Sequence, residues 1–255
     1  MVRGIEIFRH YFKDFSDNYI LIGGAACDEH LADAGLNFRA TKDLDIILIV
    51  EALSPEFVKK FWEFVKDGNY ENRQKSTGER KYYRFFEPKS KEYPFQLELF
   101  ARKPDLLDLV EDSHLTPIPT DEDLSSLSAI LMDADYYKLT IENSMVENGL
   151  HLANIESLIC LKSKAFIDLR GRQAKGEQID ERNIRKHKND VIRLAVLLTE
   201  ETTMELPDSI ALDMKEFMKV IKSEPPDYRA IGKNVGIPAI NGADIIEQLE
   251  QTFSI

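Results

Sequence analysis

Short apolar runs alternate with segments of helical periodicity in the first hundred residues. The apolar run Tyr19–Ile22 ends at two glycines, and residues 43–50 alternate acidic and apolar positions before a run of Ile, Leu and Val. Both patterns predict β-strands. Residues 25–34 predict a helix between them that ends at Gly35, because Gly is common just past a helix C-terminus.

Further elements of both kinds flank this pair of strands. Apolar residues at helical spacing predict a helix over residues 5–15. A Ser-Pro pair begins residues 54–68, which predict a second helix that stops at a glycine. Alternating segments predict strands over residues 81–86 and 95–100. The other segments of this half are a polar, turn-rich stretch over residues 69–78 and an acidic, loop-rich insertion over residues 106–135.

The second half of the chain is mainly helical in pattern. Asn154 precedes an apolar periodic segment and predicts a helix N-cap. The predicted elements are one or two strands within residues 139–155, a helix over 155–169, a polar linker over 170–182, a helix over 183–194, and shorter helices over 210–221 and 243–253.

These elements predict an α/β (α+β) fold, in which a mixed β-sheet is flanked by helices and followed by a helical C-terminal part. The expected domains are residues 1–153, which hold the predicted strands, and residues 154–255, which are helical. A chain of 255 residues with 43% hydrophobic content is long enough to bury a core of this kind.

The composition limits the kinds of partner and the cellular environment that we expect for this chain. The net charge of −12 argues against a broad nucleic-acid surface, although it leaves room for a local basic patch. No apolar run approaches the roughly 20 residues of a membrane span, and the N-terminus lacks the apolar core of a signal peptide. We therefore expect a cytoplasmic protein without a membrane partner. Cys27 and Cys160 lie in apolar helical contexts and are expected to be buried thiols.

Two carboxylates define the candidate chemistry. Asp43 and Asp45 are two residues apart on one predicted strand, so both side chains point to the same face. Two acids held this close repel each other unless a cation lies between them, and oxygen ligands of this kind suit Mg²⁺ or Mn²⁺. Glu98, on the polar face of a later strand, can supply a third carboxylate. The alternative is an ordinary solvated strand entrance with no ligand.

The glycine pair adds a second element of the same chemistry. Gly23 and Gly24 follow a strand and open a predicted helix, where backbone N–H groups can approach a phosphate closely. Arg39 and Thr41 precede the acidic strand. Arg39 either contacts a phosphate or neutralises the acids, and the sequence leaves both roles open.

Taken together, the Gly-Gly pair, the segment Arg-Ala-Thr-Lys-Asp-Leu-Asp over residues 39–45 and the later acid-bearing strand resemble the nucleotidyltransferase superfamily typified by DNA polymerase β. Within it the chain is most similar to the AbiEii type, the toxin component of type IV toxin–antitoxin systems. Residues 158–165 and 186–191 look like the downstream Lys and Lys/Asp motifs of that type, and the likeness spans roughly residues 18–198. Two features depart from the polymerase β pattern: the long spacing between Gly24 and Asp43, which is usual for AbiEii-like proteins, and a Glu as the third acid.

The resemblance implies a nucleotidyltransferase fold that uses an NTP as substrate. It implies that Asp43 and Asp45 hold Mg²⁺ or Mn²⁺, and that Glu98 completes this site and acts as a base. Gly23 and Gly24 would then contact phosphate. The implied nucleotide-binding residues also include Arg39, Thr41, Lys164 and Lys186, and Asp190 is implied as a catalytic residue that faces the incoming hydroxyl or a lysine.

In this interpretation residues 1–153 are the catalytic domain and residues 154–255 complete the cleft. The acceptor would be RNA, such as tRNA, or a protein, and a cognate antitoxin would be a partner. Two alternatives stay open: a small-molecule acceptor, as in antibiotic nucleotidyltransferases, and a binding protein that keeps the fold without catalysis. The acidic surface favours the small molecule over tRNA.

Overall fold

A computed structural model of the chain describes residues 2–49, 52–77, 80–101 and 133–255, with the side chains of residues 71–84 and 101 left aside. The described residues form two compact units. The first comprises residues 2–26, the described part of 40–101, and 144–153, and the second comprises residues 27–39, 133–143 and 154–255. The predicted insertion over residues 106–135 lies outside the described residues apart from its last three.

The first unit is built on a mixed sheet of seven described strands. Their spatial order is β3-β4-β5-β2-β1-β7-β6. The strands are β1 (Tyr19–Ile22), β2 (Asp43–Leu48), β3 (Glu71–Thr77), β4 (Arg80–Phe86), β5 (Gln96–Ala101), β6 (Ser144–Glu147) and β7 (Leu150–Ala153).

Strand β2 lies at the centre of the sheet and pairs on both sides. It runs antiparallel to β1 and parallel to β5. All four residues of β1 are buried, as are Leu44, Ile46 and Ile47 of β2. A strand that is buried on both faces reads as a near-continuous apolar run, and this pattern allowed both strands to be predicted from the sequence.

An aromatic core packs beside this sheet. It joins helix α1 (Ile5–Phe12) to helix α3 (Pro55–Gly68). The rings of Phe12 and Phe64 have centroids 5.4 Å apart, and those of Phe8 and Tyr19 meet edge to face at 5.3 Å. Each buried ring of this size contributes about 1.5–3 kcal/mol relative to an exposed one, so this cluster holds both helices in place.

The local signals at the ends of α3 act as the sequence predicts. The Ser54 side chain accepts a hydrogen bond from the backbone N–H of Phe57 at 3.1 Å, and Pro55 occupies the first helical position. Asn69 ends the helix in the left-handed conformation. The predicted helix over residues 54–68 is therefore confirmed.

The second unit is helical within its described residues. Helix α2 (Gly23–Asp33) begins in the first unit and continues into the second. The Asn154 side chain accepts a hydrogen bond from the backbone N–H of Ser157, which confirms the predicted N-cap of the helix that begins at Ile155. The other helices are α4 (Ala134–Glu142), α5 (Ile155–Ala174), α6 (Glu181–Ala195), α7 (Asp208–Ser223), α8 (Tyr228–Val235) and α9 (Gly242–Phe253).

Several segments differ from the sequence prediction. Helix α1 ends at Phe12 rather than residue 15, and α2 begins at the glycines rather than after them. Residues 71–77, predicted as turns, form strand β3. Residues 139–142, predicted as strand, belong to α4, because Asp133 caps that helix by accepting from the backbone N–H groups of residues 135 and 136.

Helix α5 also extends further than predicted. The polar residues 170–174, predicted as part of a linker, continue the helix. Ion pairs stabilise this end, since Arg172 binds Glu177 at 2.8 Å and Arg170 binds Glu224 at 2.6 Å. Both cysteines are buried free thiols. In the part of the chain that the structure describes, no helix is long and apolar enough to cross a membrane.

Candidate functional site

The acidic residues of β2 and β5 lie side by side on the sheet. In the parallel pairing of these strands, Asp43 is opposite Gln96 and Asp45 is opposite Glu98. Adjacent strands are about 4.8 Å apart and paired side chains share a face. Asp43, Asp45 and Glu98 therefore form one acidic patch, which the sequence predicted by residue type but could not place.

The three carboxylates differ in their access to solvent. Asp43 and Asp45 are half-buried, whereas Glu98 is only 8% exposed. Gln96 Nε2 donates a hydrogen bond to Glu98 Oε1 at 2.6 Å, so a neighbouring amide already contacts that carboxylate. The two aspartates are the more accessible carboxylates of the patch.

Two of the three carboxylates, Asp43 and Asp45, suit a hard divalent cation such as Mg²⁺. Among the described residues, no group of three or more His, Cys, Asp or Glu side chains is arranged to hold a metal ion. Mg²⁺ does not need such a cage, because it commonly binds through one or two carboxylates and takes its other ligands from water and substrate phosphates. Asp43 and Asp45 fit that requirement, and Glu98 as a third ligand stays a prediction.

The glycine pair is packed against this acidic strand. Gly23, the first residue of α2, has a φ of +67°, and a Cβ there would lie 1.7 Å from Asp45 Oδ2. A Cβ on Gly24 would lie 2.6 Å from the hydroxyl oxygen of Thr41. Because glycine has no side chain, the Asp45 carboxylate and the Thr41 hydroxyl can lie against the start of α2.

This packing predicts a specific effect of Gly23→Ala. Left-handed backbone at a residue with a Cβ costs about 1–3 kcal/mol, and here the new methyl also occupies the place of the Asp45 carboxylate. We expect lower stability and at least tenfold weaker Mn²⁺ binding. Urea unfolding and calorimetric titration measure the two effects separately.

Gly35→Ala is the matched control for that variant. Gly35 has a φ of +71° and no atom within 4 Å of its Cβ position, so the substitution carries the backbone strain without the clash. We expect it to lose stability and retain Mn²⁺ affinity. Equal loss of Mn²⁺ binding in both variants would contradict the proposed contact between Gly23 and Asp45.

A second group of predicted residues meets in the helical unit. Asp190 of α6 is fully buried, and Arg39 donates to its carboxylate from Nε at 3.0 Å and from Nη2 at 2.8 Å. Arg193 Nη1 also donates to Asp190 Oδ1, at 2.9 Å, and Lys162 Nζ lies 3.7 Å from Asp190 Oδ2. The described contacts pair the Arg39 guanidinium with Asp190, an acid that lies outside strand β2, and both roles predicted for Arg39 stay predictions.

Asp190, Arg39, Lys162 and Arg193 are called the Asp190 cluster below. The surrounding charges determine the protonation state of Asp190. Burial by itself raises the pKa of Asp190, but Lys162, Arg39 and Arg193 outweigh burial and hold that pKa below its usual range. The carboxylate is therefore ionised at neutral pH, with three cations around it.

His187 lies one turn before Asp190 on α6 and stays neutral. Burial lowers its pKa well below the usual 6.5, and the nearby Lys162 and Lys186 lower it further, whereas Asp190 opposes this effect. The unfolded chain binds a proton on this ring near pH 6.5 and the folded chain does not, so stability falls as pH drops below that value.

The pH dependence gives a testable prediction for His187→Gln. We expect wild type to lose more stability than the variant between pH 7.0 and pH 5.5, because only wild type has the histidine whose pKa is lowered by folding. Urea unfolding at both pH values measures the difference, and the other histidines are common to both proteins. Identical pH dependence in the two proteins would contradict a His187 that stays neutral in the folded protein.

The two lysines implied by the resemblance have different surroundings. Lys164 Nζ binds Asp213 at 2.8 Å, and Asp213 also accepts a hydrogen bond from the Tyr136 hydroxyl at 3.0 Å. Lys186 is half-buried on α6, one turn before Asp190. The phosphate-binding role of both lysines stays a prediction.

The structure brings the predicted residues together as two sets. Asp43, Asp45 and Glu98 share a sheet face, and Arg39 binds Asp190. Sequence reasoning missed the contribution of Arg193 to the second set. Its position three residues after Asp190 on a helix was the available signal, because that spacing places two side chains on one face.

Comparison with known proteins adds a distant structural likeness. No family model matches the chain, and no curated protein matches it. The chain is similar to a solved structure described as an antigenic nucleotidyltransferase-like protein from Paracoccidioides brasiliensis, over 95% of this chain and 94% of that one. The sequence identity is 13% and the TM-score 0.47. A likeness at this level identifies no family, so the function has to be inferred from the residues of this chain.

Proposed function

We propose that the chain is a metal-dependent nucleotidyltransferase, which transfers NMP from an NTP to an acceptor hydroxyl and releases pyrophosphate. One observation carries the proposal: Asp43 and Asp45 share a sheet face with Glu98, and Asp45 lies against the glycine start of helix α2. Half-buried carboxylates beside a helix N-terminus combine oxygen ligands for a cation with backbone donors for a phosphate.

Each residue has a distinct part in this proposal. Asp43 and Asp45 would hold Mg²⁺ or Mn²⁺, which supplies charge neutralisation at the phosphates when bound. Gly23 keeps the Asp45 carboxylate in position, and the first N–H groups of α2 would contact a phosphate oxygen. Glu98 is proposed as the base that takes the proton from the acceptor hydroxyl.

The resemblance to AbiEii-type toxins supports a finer assignment. On that basis the acceptor is RNA, such as tRNA, or a protein, and a cognate antitoxin binds the enzyme. A small-molecule acceptor is the second candidate, because the net charge of −12 disfavours a broad RNA surface. Acceptor binding measured at two salt concentrations separates the two, since RNA binding weakens steeply as salt rises.

Calorimetric titration tests the nucleotide site directly. Mg²⁺ with each NTP is titrated into wild type, into Asp43→Asn/Asp45→Asn, and into the charge-matched control Asp14→Asn/Asp33→Asn, which changes two exposed residues. We expect wild type and the control to bind an NTP only in the presence of Mg²⁺. We expect no metal-dependent binding by Asp43→Asn/Asp45→Asn. Absence of binding by wild type to every NTP would overturn the proposal.

A further inference from the structure

A half-open cavity of about 390 Å³ lies within the helical unit, between the second half of α5, the first half of α6 and the residue that follows α7. None of its lining residues belongs to the Asp190 cluster or to the acidic patch. Small-molecule sites have volumes of roughly 300–1,000 Å³ and combine apolar walls with a few polar groups. The cavity therefore has the size of a site for a small ligand.

Helix α6 turns a different side to this cavity from the one that carries Asp190. Ile184, Arg185 and Lys188 line the cavity, and their spacing of one, three and four residues places them on neighbouring positions of one helix face. Asp190 follows Lys188 by two residues, which is about 200° around the helix. The cavity is thus separate from the Asp190 cluster.

The lining of the cavity has one more cation than it has acids. Arg170, Arg185 and Lys188 line it together with Glu181 and Glu224. The guanidinium of Arg170 already binds the Glu224 carboxylate through two hydrogen bonds of 2.6 Å. Among the described residues, neither Arg185 nor Lys188 forms an ion pair with a carboxylate. The excess positive charge therefore lies on the α6 side of the cavity.

Lys188 holds its charge in surroundings that favour an added anion. The side chain is half-buried, and its ammonium lies 5.8 Å from the centre of the Phe166 ring and donates to the backbone carbonyl oxygen of Glu224 at 3.1 Å. Burial lowers the pKa of Lys188, and Arg170 and Arg185 lower it further, although the nearby acids oppose this effect. A negative group beside the ammonium would stabilise its charged form.

The other properties of the lining narrow the class of ligand. Phe166 and Ile184 supply an apolar wall, which suits a hydrocarbon ring. A carboxylate can accept hydrogen bonds from a guanidinium and an ammonium together. A doubly charged group such as a phosphate monoester would exceed the single excess positive charge and would face Glu181 and Glu224. A ligand with one negative charge and an apolar body matches the cavity best.

We propose that this cavity is a binding site for a small aromatic monocarboxylate, in which Arg185 and Lys188 contact the carboxylate and the ring lies against Phe166 and Ile184. The site goes beyond the proposed nucleotidyl transfer, because its residues take no part in that reaction.

Fluorine NMR titration of the full chain tests the site with three ligands of similar shape. These are para-trifluoromethylbenzoate, the uncharged para-trifluoromethylbenzamide and the doubly charged para-trifluoromethylphenyl phosphate. We expect wild type to bind the benzoate at least tenfold more tightly than the benzamide, and more tightly than the phosphate. Equal affinity for benzoate and benzamide would overturn the role of the two cations, and tighter binding of the phosphate would overturn the assignment to a monocarboxylate.

Substitutions on both sides of the cavity locate the binding. Lys188→Gln and Arg185→Gln should each weaken benzoate binding at least tenfold. The matched control Arg182→Gln, an exposed cation of α6 outside the cavity, should bind like wild type. Ala174→Phe adds a ring at an exposed lining position without changing the charge, and it should block binding even if Lys188→Gln does not fold.

Two results contradict the site whatever becomes of the nucleotidyltransferase proposal. One is absence of benzoate binding by wild type. The other is benzoate binding by folded Lys188→Gln and Ala174→Phe that equals wild type, with circular dichroism as the measure of folding. Titration of Mg²⁺-NTP into the same preparations reports on the proposed function separately.

Discussion

Asp45→Asn is expected to abolish nucleotidyl transfer while leaving the protein folded. In the proposed reaction Asp45 is one of two carboxylate ligands, and its loss removes several kcal/mol of transition-state charge stabilisation. About 4 kcal/mol corresponds to a loss of about a thousandfold in rate. The variant has nearly the same shape, and it removes one of two like charges that face each other on β2 and β5. We therefore expect stability equal to or above that of wild type.

The measurement combines transfer of label from α-³²P-NTP to cellular RNA or protein with urea unfolding of the same preparations. Asp33→Asn, an exposed change of the same chemistry, should retain activity. Activity of Asp45→Asn within threefold of wild type would show that Asp45 is not a metal ligand for this reaction. A folded and inactive Asp45→Asn together with an active control supports the enzyme over a binding protein on the same fold.

The acidic patch shows how much of a site can be predicted from sequence patterns. The alternation over residues 43–50 fixed the relative orientation of Asp43 and Asp45, because side chains on a strand repeat with period two. The position of Glu98 depended on which strand β5 would join and in what register. Pairing between strands that are far apart in sequence leaves no local signal, so only the structure could place Glu98 opposite Asp45.

The wrong predictions for strand β3 and helix α4 have local physical causes. Strand β3 has the polar sequence ENRQKST, and among the described strands it is at one edge of the sheet and pairs with β4 alone. An edge strand needs less apolar patterning than a central one, so its composition resembles a turn. Residues 139–142 were predicted as strand, but Asp133 at the cap and the buried Tyr136 and Leu139 place this segment in helix α4.

The glycine pair shows that a motif can have a packing role that its sequence pattern does not indicate. The sequence predicts that backbone N–H groups approach a phosphate closely at Gly23 and Gly24, and this contact stays a prediction. The structure adds contacts that no sequence rule indicates, since the space beside each glycine is taken by a side chain from residues 41–45. A glycine motif can therefore be required for the position of an acid as well as for access of a ligand.

Asp190→Ala is expected to be the most destabilising single substitution discussed for this chain. Its carboxylate is fully buried and ionised at pH 7, and its removal leaves Arg39, Lys162 and Arg193 without their shared acid. Removing one partner of a buried ion pair costs about 3–5 kcal/mol. We expect a loss in that range by urea unfolding at pH 7, where the contribution of Asp190 is fully present because its pKa lies below the usual range.

Two comparisons decide whether buried charge is the cause of that loss. Glu224→Ala removes an acid that pairs with Arg170 at 2.6 Å but is exposed, so a much smaller loss is expected. Adding Lys162→Met to Asp190→Ala removes one of the uncompensated cations and should recover part of the stability. If Asp190→Ala unfolds no more easily than Glu224→Ala, or if the added Lys162→Met lowers stability further, the Asp190 cluster does not stabilise the fold through its charges.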